Sequence, residues 1–196
     1  MINSLDKITN WTLCSCFVIL LKLLSFIDKI DSFGDGQENM EKITPFLWFD
    51  DQAEEAATFY TSIFKNSRIL SISRYSEGAP RPAGSVMVVT FQLNGQEVMA
   101  LNGGPEFKFS EAFSFFVECE SQEDIDHYWE SLSAGGEKGP CGWLKDKFGF
   151  SWQITPSILN ELMNGPDPEK SRRVTQALLK MGKIDIAELQ RAYHGD

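Results

Sequence analysis

Between Ile43 and Ile154 the sequence repeats its own pattern, and this repeat restricts the possible folds more than any other feature. In the first half, Ile43–Phe49 is a short apolar run with Trp and Phe, which predicts a buried strand. Asp51 followed by Glu54 has the spacing of a capping box at a helix start. Ala53, Ala56, Ala57, Tyr60, Ile63 and Phe64 then recur at helical spacing and give that helix one apolar face. Arg68–Tyr75 alternates as a strand, and Glu77–Gly84 carries two prolines and reads as a loop. Val86–Leu93 and Glu97–Leu101 flank Asn94-Gly95, the pair that supplies the positive φ angles of a type I′ hairpin turn. Asn102-Gly103-Gly104-Pro105 breaks the chain.

The same grammar then restarts. Ala112–Cys119 is an aromatic strand, and Ser121 stands three residues before Asp124 as a helix cap. A shift of 69 residues lays Ala56, Phe59, Tyr60 and Ile63 on Ile125, Tyr128, Trp129 and Leu132. Gly135-Gly136 ends this helix, and strands follow through Cys141 and Trp143 into a hairpin over 142–154. Within that hairpin Asp146 is expected to accept backbone hydrogen bonds in the turn, and Gln153 is the polar residue of an otherwise apolar strand. Each half reads strand, helix, strand, strand, strand, and each has a sheet face that the other can cover. The expected class is α+β, built from paired βαβββ modules.

The flanks differ in character. Trp11–Ile27 is apolar but short for a membrane span, carries Lys22, and lacks the flanks of a secretory signal. Residues 1–39 are therefore expected to be a leader outside the folded domain and not a membrane partner, with a membrane-associating helix as the alternative reading. The domain is placed at 40–156, with halves at about 40–104 and 105–156. Residues 157–196 form a helical tail, with helices over Glu169–Met181 and Asp185–Tyr193. Helices of that length do not stand alone in water, so the tail must pack on the domain or on a partner subunit.

A net charge of −10 with no basic run argues against nucleic acid as a partner. The cysteines are Cys14, Cys16, Cys119 and Cys141, and with two histidines they give no zinc-site spacing. Cys119 and Cys141 lie in apolar strand contexts, as reduced thiols of a cytoplasmic protein would. His127 and His194 read as structural or exposed.

The stretches F-L-W-F-D-D-Q-A-E-E-A-A-T-F-Y-T-S-I-F at 46–64, A-L-N-G-G-P at 100–105 and C-G-W-L-K-D-K-F-G-F-S-W-Q-I at 141–154 form a distinctive set. Together they resemble the PhnB-like branch of the vicinal oxygen chelate superfamily, which also contains glyoxalase, bleomycin-resistance and dioxygenase proteins. D-P-E-K-S-R-R-V at 167–174 and K-I-D-I-A-E-L at 183–189 add to the set. The branch is often labelled 3-demethylubiquinone-9 3-methyltransferase-like. The resemblance implies a curved mixed sheet of paired modules, a small-molecule ligand and a homodimer.

It also implies four metal-ligand positions, on the first and fourth strands of each half. Ile43, Thr44, Pro45 and Phe46 offer no ligand on the first strand, and Met99 to Asn102 offer only an amide. Glu111 lies at the edge of the next strand, and Gln153 stands where the superfamily keeps a glutamate. The expectation is a cup without metal or cofactor, lined by Trp48, Met99, Asn102, Phe115, Trp143, Trp152 and Gln153. Glu97, Glu111 and Asp146 are the carboxylates available for acid–base chemistry. The alternatives are a metal-dependent lyase or dioxygenase of the glyoxalase type, and a quinone-pathway methyltransferase. The sequence leaves open whether the protein is an enzyme and which ligand it takes.

Overall fold

The computed structural model describes residues 43–195, so the expected leader over 1–39 lies outside the described residues. The first half runs β1 (Phe46–Phe49), α1 (Ala53–Ile63), β2 (Arg68–Arg74), β3 (Val86–Leu93) and β4 (Gln96–Asn102). The second runs β5 (Ser114–Cys119), α2 (Gln122–Ser133), β6 (Glu137–Lys138), β7 (Trp143–Lys145) and β8 (Ser151–Pro156). The sheets have strand orders β1-β4-β3-β2 and β5-β8-β7-β6. In each, the first strand lies parallel to the fourth, and the remaining pairs are antiparallel. The expected α+β class and paired βαβββ modules are therefore present, as two four-stranded mixed sheets.

Alternation sets which side chains meet the core. Leu47 and Phe49 on β1, Val89 and Phe91 on β3, and Val98 and Ala100 on β4 are buried beneath α1. Small residues Ala53, Ala56 and Ala57 bring that helix close to the sheet. In the second half Leu144, Trp152 and Ile154 are buried against Ile125, Trp129 and Leu132 of α2. The two sets form one hydrophobic cluster. Tyr60 bridges them, with its ring 6.3 Å from Phe91 and 5.2 Å from Trp152. Phe64 stacks on Tyr128 and Trp152 at 4.9 and 5.4 Å.

The helix caps depart from expectation in one place. Ser121 caps α2 as its spacing predicts, accepting from the Asp124 amide at 3.1 Å. At α1, however, the N-cap is Gln52, which makes no side-chain cap bond, and Asp51 is exposed outside it. The cap comes from Asn102 at the end of β4, whose Oδ1 accepts from the Ala53 amide at 2.8 Å. Parallel pairing of β4 with β1 brings Asn102 opposite Phe49, beside the β1–α1 turn, and local spacing cannot reveal this. Asn102 Nδ2 donates to the Val86 carbonyl at 3.1 Å, and the Asn102 carbonyl accepts from Tyr75 at 2.7 Å.

The tail folds as α3 (Leu159–Met163), α4 (Pro168–Leu178) and α5 (Ile186–His194) around Leu162, Val174, Met181, Ile184 and Leu189. Asp167 and Asp185 cap α4 and α5. The tail is tied to the second half by backbone bonds, 2.8 Å each, from Cys141 and Gly142 to the Met181 and Gly182 carbonyls. Gln122 adds a two-way clamp, donating to the Ile184 carbonyl and accepting from the Ile186 amide. Cys141 is not in a strand: it occupies a turn before β7 with φ of 55°. Cys119 is in β5 and buried, as expected.

Because Asn102 both caps α1 and holds β3, Asn102→Ala should destabilise the protein by about 1–3 kcal/mol in urea unfolding. Asp51→Ala should change stability by no more than about 0.5 kcal/mol. The reverse ranking would contradict this assignment of the cap.

Candidate functional site

The hairpin joining β7 to β8 holds a buried carboxylate. Asp146 is 2% exposed, and both of its oxygens are saturated. Oδ1 accepts from the Phe148 and Phe150 amides at 2.9 and 3.0 Å, which is the turn role the sequence predicts. Oδ2 accepts from the Tyr60 hydroxyl at 2.7 Å and the Trp152 indole at 2.8 Å. Burial pushes the carboxyl above its ordinary range, while these four hydrogen bonds pull the other way. The same burial, reinforced by the Asp146 charge, raises the Tyr60 phenol and keeps it a donor. Asp146 is thus a structural knot between the halves, with no oxygen left over for a substrate.

The expected pocket residues divide between two faces. Trp152 is buried in the common core, Phe115 packs on it at 5.4 Å, and Asn102 is the α1 cap. Trp48, Met99, Trp143 and Gln153 alternate with core residues and occupy the outer sheet faces, where they are half-buried. Met99 pairs with Phe46 and Gln153 with Phe116, so Met99 and Gln153 hold equivalent positions in their sheets. Trp48 is pinned, its indole donating to the Gly104 carbonyl at 2.9 Å and its ring meeting Phe107 edge-on at 5.0 Å. A Cβ on Gly103 would collide with that indole, so the glycine is required there.

The outer face of the second sheet carries a polar row that sequence reasoning missed. Ser114 on β5 pairs with Ser151 on β8, which pairs with Lys145 on β7. Gln153 Nε2 donates to Ser114 Oγ at 2.9 Å. Lys145 Nζ lies 2.6 Å from Glu111 Oε1. This pair lowers the Glu111 carboxyl and raises the Lys145 ammonium. Ser151 is 1% exposed, and its hydroxyl has no hydrogen-bond partner. The available signal was alternation from Gln153 and Trp143, since Ser151 and Lys145 are two residues away on their strands.

A separate cleft of about 380 Å³ opens at the inner edge of β5. Phe64, Leu93, Val98, Phe115, Tyr128 and Trp152 form its apolar walls, with Asn94, Gln96 and Glu118 among its polar lining residues. Phe115 and Trp152 thus line a cavity at the edge of β5, and Phe116, the strand partner of Gln153, lines it too.

The donor chemistry of the four superfamily ligand positions does not suit a divalent catalytic metal. Phe46 and Met99 in one half, and Ser114 or Phe116 with Gln153 in the other, offer a thioether, a hydroxyl and an amide. Among the described residues no group of three His, Cys, Asp or Glu side chains converges. His127 is exposed on α2 at 3.2 Å from the Ile63 carbonyl, and His194 ends α5. Burial, with Asp124, Glu118 and Glu120 nearby, pushes the Cys119 thiol up to about 12, which removes it as a nucleophile. Gly103-Gly104 leads into the irregular connection to β5 instead of opening a helix, so it is no nucleotide-binding turn.

Two βαβββ modules with first and fourth strands parallel define a vicinal oxygen chelate architecture. The family model described as 3-demethylubiquinone-9 3-methyltransferase matches residues 41–155, and the chain belongs to that family, the PhnB-like branch of the superfamily. The PhnB protein from Bacillus cereus is 43% identical over 60% of this chain and all of its own, with a TM-score of 0.54. Protein PA1353 from Pseudomonas aeruginosa is 18% identical over 60% of this chain and 98% of its own, at a TM-score of 0.51, a likeness of fold alone. The fosfomycin resistance protein FosX from Listeria monocytogenes is 17% identical over 63% of this chain and 97% of its own, at 0.46. No curated protein matches the chain.

The Asp146 carboxyl sets a pH signature. Its value is raised in the fold, so the folded state binds the proton more tightly than the unfolded chain. Its contribution to stability therefore falls as pH rises from the ordinary aspartate value of 3.8 through the raised one. The stability advantage of the wild type over Asp146→Asn, measured by urea unfolding, should shrink across that window. An advantage that grows with pH there would contradict the burial assigned to Asp146.

Proposed function

We propose that this PhnB-like protein binds a small molecule without metal, on the outer sheet faces that carry Gln153, Trp143, Trp48 and Met99. The observation that carries this reading is the placement of Gln153. Its amide sits beside Trp143 on a half-exposed face, with an unsatisfied hydroxyl in the next row, while the polar groups of the interior are committed to structure. Apolar walls with a few convergent polar groups are what a small-molecule site needs.

A second copy of the chain completes the cup. Both sheets turn their inner faces to one core, so each outer face is a single wall. Those walls carry Phe46 and Phe116, 43% and 56% exposed, apolar rings that an unpartnered sheet face would show to water. Cytoplasmic residence fits the free thiols of Cys119 and Cys141. Among the described residues no helix is long and apolar enough to cross a membrane.

The test is a fragment screen by thermal shift, with hits mapped by nuclear magnetic resonance. Hits should move the indole signals of Trp48 and Trp143 and the side-chain amide of Gln153, and leave the Trp152 indole in place. Hits confined to Trp152 and Phe115 would move the site to the cleft at β5 and sink this reading. Sedimentation should give twice the 22.1 kDa chain mass, and Phe116→Glu should halve it. Stoichiometric Zn, Mn, Ni or Fe in protein prepared without chelators would contradict the metal-free cup.

A further inference from the structure

We infer that the ligand of this cup carries a carboxylate, and that the Glu111 side chain occupies the place of that carboxylate in the free protein; this rests on the binding site proposed above. Three observations meet at one spot. Lys145, Ser151 and Ser114 form a cross-strand row on adjacent strands, so their side chains share the outer face. The Lys145–Glu111 pair joins β7 to the segment before β5, across the strand that holds Ser151. Ser151 is 1% exposed with an unpartnered hydroxyl, an arrangement that costs free energy and in native proteins calls for an explanation.

An incoming carboxylate supplies that explanation. Ser114 Oγ accepts from Gln153, which leaves its own proton to donate. Ser151 has a proton to donate as well, and Lys145 has three, one of them directed at Glu111. A carboxylate that replaces Glu111 on Lys145 gains charge-assisted bonds from the ammonium and both hydroxyls. Displacing Glu111 costs little, because its side chain is 63% exposed and the pair is in high dielectric. Glu137, opposite Lys145 on β6, is exposed and makes no ion pair with it, and its charge adds only a minor share to what Glu111 does to hold the ammonium. The next row, Trp143–Gln153–Phe116, offers an indole and a phenyl ring for an apolar body attached to the acid.

The test compares 3-phenylpropionate with the neutral 3-phenylpropanol, titrated into the full-length protein and followed at the Trp143 indole and Gln153 amide. The acid should move both signals saturably, and the alcohol should bind at least about tenfold more weakly, as expected when charge-assisted bonds are lost. Glu111→Gln removes the internal competitor and should tighten the acid about two- to fivefold, the range an exposed ion pair implies. Lys145→Met should abolish acid binding while the urea midpoint stays near that of the wild type. Equal binding of acid and alcohol would overturn the inference and leave the cup as a neutral-ligand site. No response at Trp143 and Gln153 to either probe would also overturn it, and the fragment screen then decides separately whether the cup binds anything. Weaker acid binding in Glu111→Gln would show that Glu111 assists the ligand instead of standing in for it.

Discussion

The docking of the two halves rests on one buried carboxylate and the donors that saturate it. Moving an unpaired charge out of water is prohibitive, and Asp146 persists in the core only because four donors converge on it. Two of them are amides of its own turn and shape the β7–β8 hairpin. The third is the Trp152 indole on β8, and the fourth is the Tyr60 hydroxyl on α1, from the other half of the repeat. A single side chain therefore sets a local turn and also fixes how the two modules dock. Tyr60 can reach it only where its ring rests on Trp152, so the aromatic packing and the hydrogen bond impose the same geometry.

That docking decides which surfaces remain for function. With the inner faces joined in one core, Trp152 and Asn102 are bound into structure, and the positions proposed to form the cup are the outer ones. There the first half presents Met99 and the second Gln153 at equivalent sites, and neither is a strong ligand for a hard cation. The outer face of the second sheet carries a set of hydrogen-bond donors: an ammonium, two hydroxyls and an amide. The repeat has kept its geometry while its halves have diverged in chemistry.

The repeat, the Asn94-Gly95 turn, the Ser121 cap and the turn role of Asp146 were legible because each is a local pattern with a local cause. The module order followed from them. Less legible was anything set by strand pairing. Asp51 has the spacing of a cap, but Asn102 does the capping, since parallel pairing delivers it from 49 residues away. Phe115 and Trp152 look like cup residues on composition, yet the pleat turns both inward. No spacing along the chain links Lys145, Ser114 and Ser151; only the β5-β8-β7 register does. Gln153 stands out in the sequence as a polar residue on an otherwise apolar strand, but its Ser114 partner is visible only with that register.

Asp146 welds the two halves into one cooperative body through Tyr60 and Trp152. Native-state hydrogen exchange tests it most directly, by comparing the Val89 and Phe91 amides of β3 with the Trp152 and Ile154 amides of β8. All four should exchange through one global opening, with free energies equal within about 0.5 kcal/mol and equal dependence on denaturant. Exchange of the β8 amides through a separate, lower-energy opening, with β3 still protected, would show that the halves are independent and contradict it.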